Sequence, residues 1–107
     1  MLTGKNKERF ESYLSNVFKP NYSLWSRTLE FYSLPLSMQF GVIQDYADSL
    51  RYSLSCGHNG DNFTYHVKPH DCPVYQSRTK ETRDEARKAA IKAFDEIVNN
   101  EWRNGLL

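Results

Sequence analysis

Two short clusters of cysteine and histidine contain the residue types of this chain that could bind a metal ion. Cys56-Gly-His58 and His70-Asp-Cys72 together offer two sulfur and two nitrogen atoms, which is the donor set of many zinc sites. Within each cluster one residue separates the two donors, whereas common structural zinc motifs separate paired ligands by two or more residues. We therefore expect no metal site, and two unlinked thiols, because two cysteines are too few for a disulfide framework.

The residue types used in acid–base and nucleophilic catalysis do not form a recognisable motif. Asp45 and Asp48 lie three residues apart on a predicted helix, but no neighbour in sequence would separate their pKa values as acid–base catalysis requires. The sequence has no G-x-S-x-G, P-loop or H-E-x-x-H motif. We expect a protein that is not an enzyme and that uses no cofactor.

Length and composition indicate one domain. The chain has 107 residues, of which 39% are hydrophobic and 14% aromatic, which is enough for one core without disulfides. With 14 basic and 13 acidic side chains, the net charge of +1 provides no strong attraction to nucleic acid or membranes. No apolar segment has the length of a membrane span or a signal peptide, so we expect a cytoplasmic protein.

Hydrophobic spacing predicts two or three helices in the first half of the chain. Apolar residues recur at helical spacing over residues 4–18 and, less regularly, over residues 23–34. A third helix is predicted over residues 37–50, because Pro35 stops the preceding segment and Ser37 can cap the next.

The C-terminal segment has the clearest helical signal. Thr82 and Glu85 have the spacing of a capping box, in which each side chain satisfies a backbone N–H at the helix start. The apolar residues that follow form one narrow stripe: Ala86, Ala90, Ala93, Phe94, Ile97 and Val98. This stripe predicts a helix that packs closely against the core.

Between these helices the hydrophobic period changes from about 3.6 to 2. Residues 51–56 and 63–68 each alternate between apolar and polar side chains, and residues 57–62 supply turn formers between them. Pro69 ends the second strand, and residues 73–78 form a shorter third strand. The pattern predicts a hairpin followed by one more strand.

The order of these elements is that of an α+β protein. We expect a single domain over residues 1–107, with an N-terminal helical extension in residues 1–35 and an α-β-β-β-α core in residues 36–107. The expected sheet has three antiparallel strands packed on helices.

Residues 36–99 resemble the double-stranded RNA-binding domain. Gly57-His58-Asn59-Gly60 lies where that family has a Gly-rich loop between its first two strands, and residues 83–90 lie where it has a basic, alanine-rich helix start. The resemblance implies contacts between these two regions and the phosphates of duplex RNA. The RNA-binding residues that it implies are His58, Lys80, Arg83, Arg87 and Lys88.

Carboxylates are interleaved with these cations. Asp84 lies where the family has a lysine, and Glu81 and Glu85 lie beside it. An alternative interpretation is therefore a solvated helix face whose acids favour the positive end of the helix dipole.

A second resemblance concerns residues 34–42 and 82–91. These blocks are similar to stretches in small proteins of bacteriophages and mobile elements, a group that includes anti-defence and anti-CRISPR inhibitors. The resemblance implies a short, non-enzymatic protein of the bacterial host cytoplasm. The leading hypothesis is that it docks on a host protein or ribonucleoprotein, such as a CRISPR effector, and inhibits it.

Aromatic residues suggest how such a protein would bind its partner. Seven Tyr and two Trp cannot all be fully buried in so small a chain, and partly exposed aromatics contribute strongly to protein interfaces. Tyr22, Trp25, Tyr32 and Trp102 are the candidates. One alternative is a divergent duplex-RNA-binding module, and another is a self-associating structural protein that dimerises through the helix over residues 4–18.

Overall fold

The computed structural model describes residues 1–17, 30–70, 76–80, 82–103 and 105. The elements in chain order are helix α1 (Gly4–Val17), helix α2 (Leu36–Ser49), strand β1 (Tyr52–Asn59), strand β2 (Asn62–Pro69), strand β3 (Gln76–Lys80) and helix α3 (Arg83–Arg103). The predicted α+β class, with helices and an antiparallel sheet, is confirmed. Among the described residues no helix has both the length and the apolarity that crossing a bilayer requires.

The helices agree with the sequence prediction except at the start of α2. Residues 30–33 are helical, and most of the predicted helix over residues 23–34 lies outside the described residues. Ser37 was expected to be the N-cap of α2, but the cap position is Pro35, whose carbonyl accepts hydrogen bonds from the N–H groups of Met38 and Gln39. Proline at this position fixes the chain direction, and the helix begins one residue before Ser37.

The strands are longer than predicted on both sides of the hairpin turn. Asn59 pairs with Asn62, so the turn consists of Gly60 and Asp61 alone, and His58 lies in β1 and not in a loop. Gly60 has φ +65°, a conformation that glycine adopts without steric cost. The pairing continues to Tyr52 and Pro69 at the other end of the hairpin.

Strand β3 pairs with β2 in antiparallel orientation, and the order in the sheet is β1-β2-β3. The structure has β3 at Gln76–Lys80, two residues beyond the predicted end, and residues 73–75 of the predicted strand lie outside the described residues. Helix α2 contacts β1, and helix α3 contacts all three strands.

Small side chains allow α3 to approach the sheet closely. Ala86 and Ala90 are fully buried, and Phe94 is also buried and makes edge-to-face contacts with Tyr46 and Tyr52. The predicted apolar stripe of α3 therefore lies against the sheet and α2. The inner face of the sheet supplies Tyr52, Leu54, Tyr65 and Val67, all of which are buried.

The apolar face of α1 is buried within its own chain. Phe10 and Leu14 have no exposed surface, and the Phe10 ring contacts Phe31 and Tyr46 at centroid distances of 4.9 and 5.1 Å. This part of α1 is not available for the dimer contact over residues 4–18 that the self-association alternative involves. Self-association itself stays a prediction.

A buried polar network joins the N-terminus to α2 and α3. The Asp95 carboxylate is 6% exposed and accepts hydrogen bonds from Thr3 N, Thr3 Oγ1, Asn6 Nδ2 and Asn99 Nδ2 at 2.7–3.1 Å. Tyr46 Oη in α2 donates to Asn6 Oδ1 at 2.7 Å. Because each donor within this network has an acceptor, the network fixes α1 against the core without leaving these buried groups unpaired.

Candidate nucleic-acid interface

Phe63, at the start of β2, is the centre of a cluster of basic side chains at one end of the sheet. Its cross-strand neighbours are His58 in β1 and Lys80 in β3. The His58 and Phe63 rings make an edge-to-face contact with centroids 4.4 Å apart, and the Arg83 guanidinium lies 5.2 Å from the centre of the Phe63 ring. Three of the five candidate RNA-binding residues are therefore brought together around one aromatic ring.

The other two candidates lie on the second turn of α3. Arg87 pairs with Asp84 at 3.0 Å and has 21% of its side chain exposed, whereas Lys88 is exposed to solvent. We call the surface formed by His58, Phe63, Lys80, Arg83, Arg87 and Lys88 the Phe63 surface.

The start of α3 adds backbone donors to this surface. The Glu85 N–H donates to Thr82 Oγ1 at 3.1 Å. This is the hydrogen bond that the threonine hydroxyl is expected to accept in a capping box. The positive end of the helix dipole favours an anion at this end.

Carboxylates reduce the positive charge of the Phe63 surface. Among the described residues, its four Lys and Arg side chains are accompanied by Asp61 in the turn and by Asp84 and Glu85 in α3, so the excess there is one positive charge. Asp84 also engages Arg87 directly. The surface can attract phosphate groups, but the attraction is weaker than four unopposed cations would provide.

Cys56 lies beside this surface and is not an activated nucleophile. Burial raises the pKa of the Cys56 thiol, and the nearby Arg87 and Arg83 guanidinium groups lower it only in part. A thiol with a raised pKa stays protonated at neutral pH and reacts poorly as a nucleophile.

The residues of the possible zinc site lie at opposite ends of the hairpin. Cys56 and His58 are near the turn, whereas His70 follows the far end of β2, where its Nε2 is 3.4 Å from Asp48 Oδ1. Tyr65 lies opposite Cys56 in β2 and is five residues before His70. Strand spacing makes the distance between Tyr65 and His70 about 17 Å. Cys72 lies outside the described residues, and within the described part of the chain His, Cys, Asp and Glu form no metal-binding group.

The structure describes only two of the four aromatic residues expected to bind a protein partner, and these two lie in different elements. Tyr22 and Trp25 lie outside the described residues. Tyr32 is half-buried and makes an edge-to-face contact with the Phe31 ring, and Trp102 is half-buried near the end of α3. Burial is also the main reason that the pKa of Tyr32 is raised.

An apolar groove lies between residues 30–34 and α2. Its floor includes the buried Phe31 and the half-buried Leu34 and Val42, and its volume is about 630 Å³. Met38 on its rim is 55% exposed. The Met38 groove, as we call it, is lined by Glu30, Phe31, Leu34, Met38, Gly41, Val42, Gln44 and Asp45.

The position of Phe63 among the candidate cations is not indicated by the sequence pattern. The alternation of apolar residues placed Phe63 on the same face of β2 as Tyr65 and Val67, and the structure agrees. The contact with Arg83 depends on where α3 begins relative to the sheet, which no local pattern indicates. The sequence does place Arg83 directly after the capping Thr82, which indicates a cation at the start of the helix.

Neither a known protein family, nor a curated protein, nor a solved structure matches this chain.

Proposed function

We propose that this protein is a non-enzymatic binding module that contacts double-stranded or structured RNA through the Phe63 surface. The observation that supports this proposal most directly is the position of His58, Lys80 and Arg83 around the Phe63 ring. These residues come from three separate elements and lie on one surface. Phosphate groups along a groove of the RNA could contact this surface.

The fold supports the same proposal. The order is α2-β1-β2-β3-α3, with neighbouring strands paired in chain order and both helices in contact with the sheet, which supports the proposal of a domain similar to the double-stranded RNA-binding domain. In such domains RNA is recognised mainly by the shape of its helix and by contacts to phosphates and 2′-hydroxyls. We propose that residues 36–103 are a divergent form of this domain and that α1 is an added helix.

The contact of Arg83 with Phe63 prepares the surface for binding. A guanidinium held over an aromatic ring keeps fewer rotamers than one in free solvent, so less side-chain entropy is lost when it meets a phosphate. The interleaved carboxylates act in the opposite direction. We therefore expect moderate affinity with a salt dependence that corresponds to roughly two to four phosphate contacts.

Fluorescence anisotropy with a labelled duplex RNA tests the proposal. The wild-type protein should bind, and its affinity should fall about 12- to 150-fold between 50 and 200 mM salt for two to four contacts. Arg83→Glu should weaken binding at least tenfold because it replaces one cation by an anion. Lys92→Glu, on an exposed position of the same helix beyond this surface, is the matched control.

The outcomes of this experiment are distinct. Equal losses for Arg83→Glu and Lys92→Glu would show a general charge effect and contradict a specific surface. Absence of binding to duplex RNA at 50 mM salt would contradict the proposal as a whole. A DNA duplex of the same sequence should bind more weakly, because it lacks the 2′-hydroxyl groups and the A-form groove.

Docking on a protein partner is the second candidate function, and the Met38 groove favours it. An exposed methionine beside a partly open apolar groove is typical of surfaces that bind other proteins. Glu30 and Asp45 lie on the rim, and α2 contains no Lys or Arg. A partner segment with apolar anchors flanked by basic residues would fit this chemistry.

The expected origin in a bacteriophage or mobile element, and the inhibition of a defence ribonucleoprotein such as a CRISPR effector, stay predictions. Capture of partners from bacterial lysate, with and without nuclease, separates the two candidate functions. Capture that requires intact RNA and is lost in Arg83→Glu would support RNA binding. Capture that resists nuclease and is lost in Met38→Asp would support protein docking instead.

A further inference from the structure

The face of the sheet opposite the helices carries a regular array of hydrogen-bond donors. Ser53 in β1 pairs with Lys68 in β2, and Ser55 pairs with His66. Alternation along each strand puts these four residues on the face away from the buried Tyr52. Together the four side chains line a shallow pocket of about 220 Å³.

No carboxylate lies in this array. Ser53 and Ser55 are exposed, and His66 and Lys68 are half-buried. The other residues with a described environment that β1 and β2 place on this face are Gly57, which has no side chain, Asn62 and Thr64. The chain has 13 acidic residues, yet none is among the described positions of β1 and β2 on this face.

The spacing of the array suits a tetrahedral anion. Directly opposed side chains in an antiparallel pair have Cβ atoms about 5 Å apart, and residues two apart on one strand are separated by about 7 Å. A phosphoryl group above the centre of this rectangle is within reach of short hydroxyl side chains on one edge and a long ammonium side chain on the other. Its several oxygens can accept from several donors at once, which a planar carboxylate does less well.

We propose that this pocket is a phosphoryl-binding site in which Lys68 supplies the charge and the Ser53 and Ser55 hydroxyls donate hydrogen bonds. His66 forms the remaining wall. The site lies on the opposite face of the sheet from the Phe63 surface, so it does not depend on the function proposed for that surface. The phosphoryl group comes either from a small phosphorylated molecule or from the backbone of a nucleic acid.

Amide chemical shifts of the labelled protein, followed during titration with inorganic phosphate, test this site. Saturable shifts are expected at Ser53, Ser55 and Lys68, and sodium chloride at equal ionic strength should not reproduce them. Lys68→Ala should weaken phosphate binding about tenfold, because it removes a charge-assisted hydrogen bond. Lys7→Ala, which removes an exposed lysine from α1, should leave it unchanged.

Ser55→Ala provides a second variant that keeps the charge and changes only one exposed hydroxyl. It should weaken phosphate binding less than Lys68→Ala does. Titration with adenosine monophosphate and with a duplex RNA lacking terminal phosphates distinguishes the two sources of the group. Shifts confined to residues 82–85, shifts equal to those with chloride, or unchanged phosphate affinity in Lys68→Ala would overturn the proposal.

Discussion

The Tyr46 hydroxyl donates a 2.7 Å hydrogen bond to Oδ1 of Asn6, and both side chains are almost fully buried. This bond joins α1 to the first helix of the α-β-β-β-α core. Tyr46→Phe keeps the ring but leaves the Asn6 oxygen without this donor, so we expect the free energy of unfolding to fall by about 1–3 kcal/mol. Urea unfolding measures this loss. Tyr13→Phe, at a half-buried position, is the control and should cost less.

The Asp95 carboxylate should be sensitive to neutralisation. Asp95→Asn replaces one acceptor oxygen by an NH₂ group in a position where Thr3, Asn6 and Asn99 all direct donors. We expect a loss of at least about 2 kcal/mol in the free energy of unfolding. Asp48→Asn is the matched control, because Asp48 is 63% exposed and its contact with His70 should be worth about 0.5 kcal/mol or less. Equal effects of the two substitutions would contradict the role assigned to the network.

Stability should fall at alkaline pH because of two buried tyrosines. Burial is the main reason that the pKa values of Tyr46 and Tyr52 are raised above the ordinary value, and a hydrogen bond with Glu101 contributes at Tyr52. In the unfolded chain both groups lose their proton near pH 10, whereas in the folded protein they keep it. The stabilisation is therefore complete below about pH 10 and is lost as pH rises above it.

Urea unfolding at pH 8, 10 and 11 measures this pH dependence. Above pH 10 each of these tyrosines should lower the free energy of unfolding by up to about 1.4 kcal/mol per pH unit. Tyr46→Phe should therefore show a shallower alkaline decline than the wild-type protein. The same alkaline slope in both proteins would contradict the assignment.

Local signals account for what could be predicted from the sequence. The capping threonine and the alanine stripe of α3 lie within about 20 residues of each other, and period-2 alternation defines β1 and β2. The hairpin turn was predicted too long, because Gly57 and Asn59 are turn formers by residue type although they pair as strand residues.

Contacts between distant residues could not be predicted. Asn6 and Asp95, for example, are hydrogen-bonded although they lie 89 positions apart in the chain, and a polar residue in α1 gives no sign that it will be buried. The same holds for the contact of Phe63 with Arg83, which depends on the position of α3 over the sheet. The candidate cations were visible in the sequence, but the aromatic residue that brings them together was not.

Asp84→Lys should increase RNA affinity. The substitution removes a carboxylate from the Phe63 surface, releases Arg87 from its 3.0 Å ion pair and adds a further cation. We expect affinity for duplex RNA to rise about tenfold or more at low salt, with a salt slope steeper by one to two phosphate contacts. A cation in the first turn opposes the helix dipole, so the variant should lose about 0.5–1 kcal/mol of stability. Unchanged affinity would contradict the proposal that Asp84 weakens an RNA-binding surface.

The most direct test of the proposed RNA interface is the mapping of amide chemical shifts during addition of a short duplex RNA to the labelled protein. The account predicts that the largest changes occur at His58, Gly60, Phe63 and residues 82–88, where the turn of the hairpin meets the start of α3. Changes centred on Met38 and Val42, or no change at any ratio of RNA to protein in low salt, would contradict it.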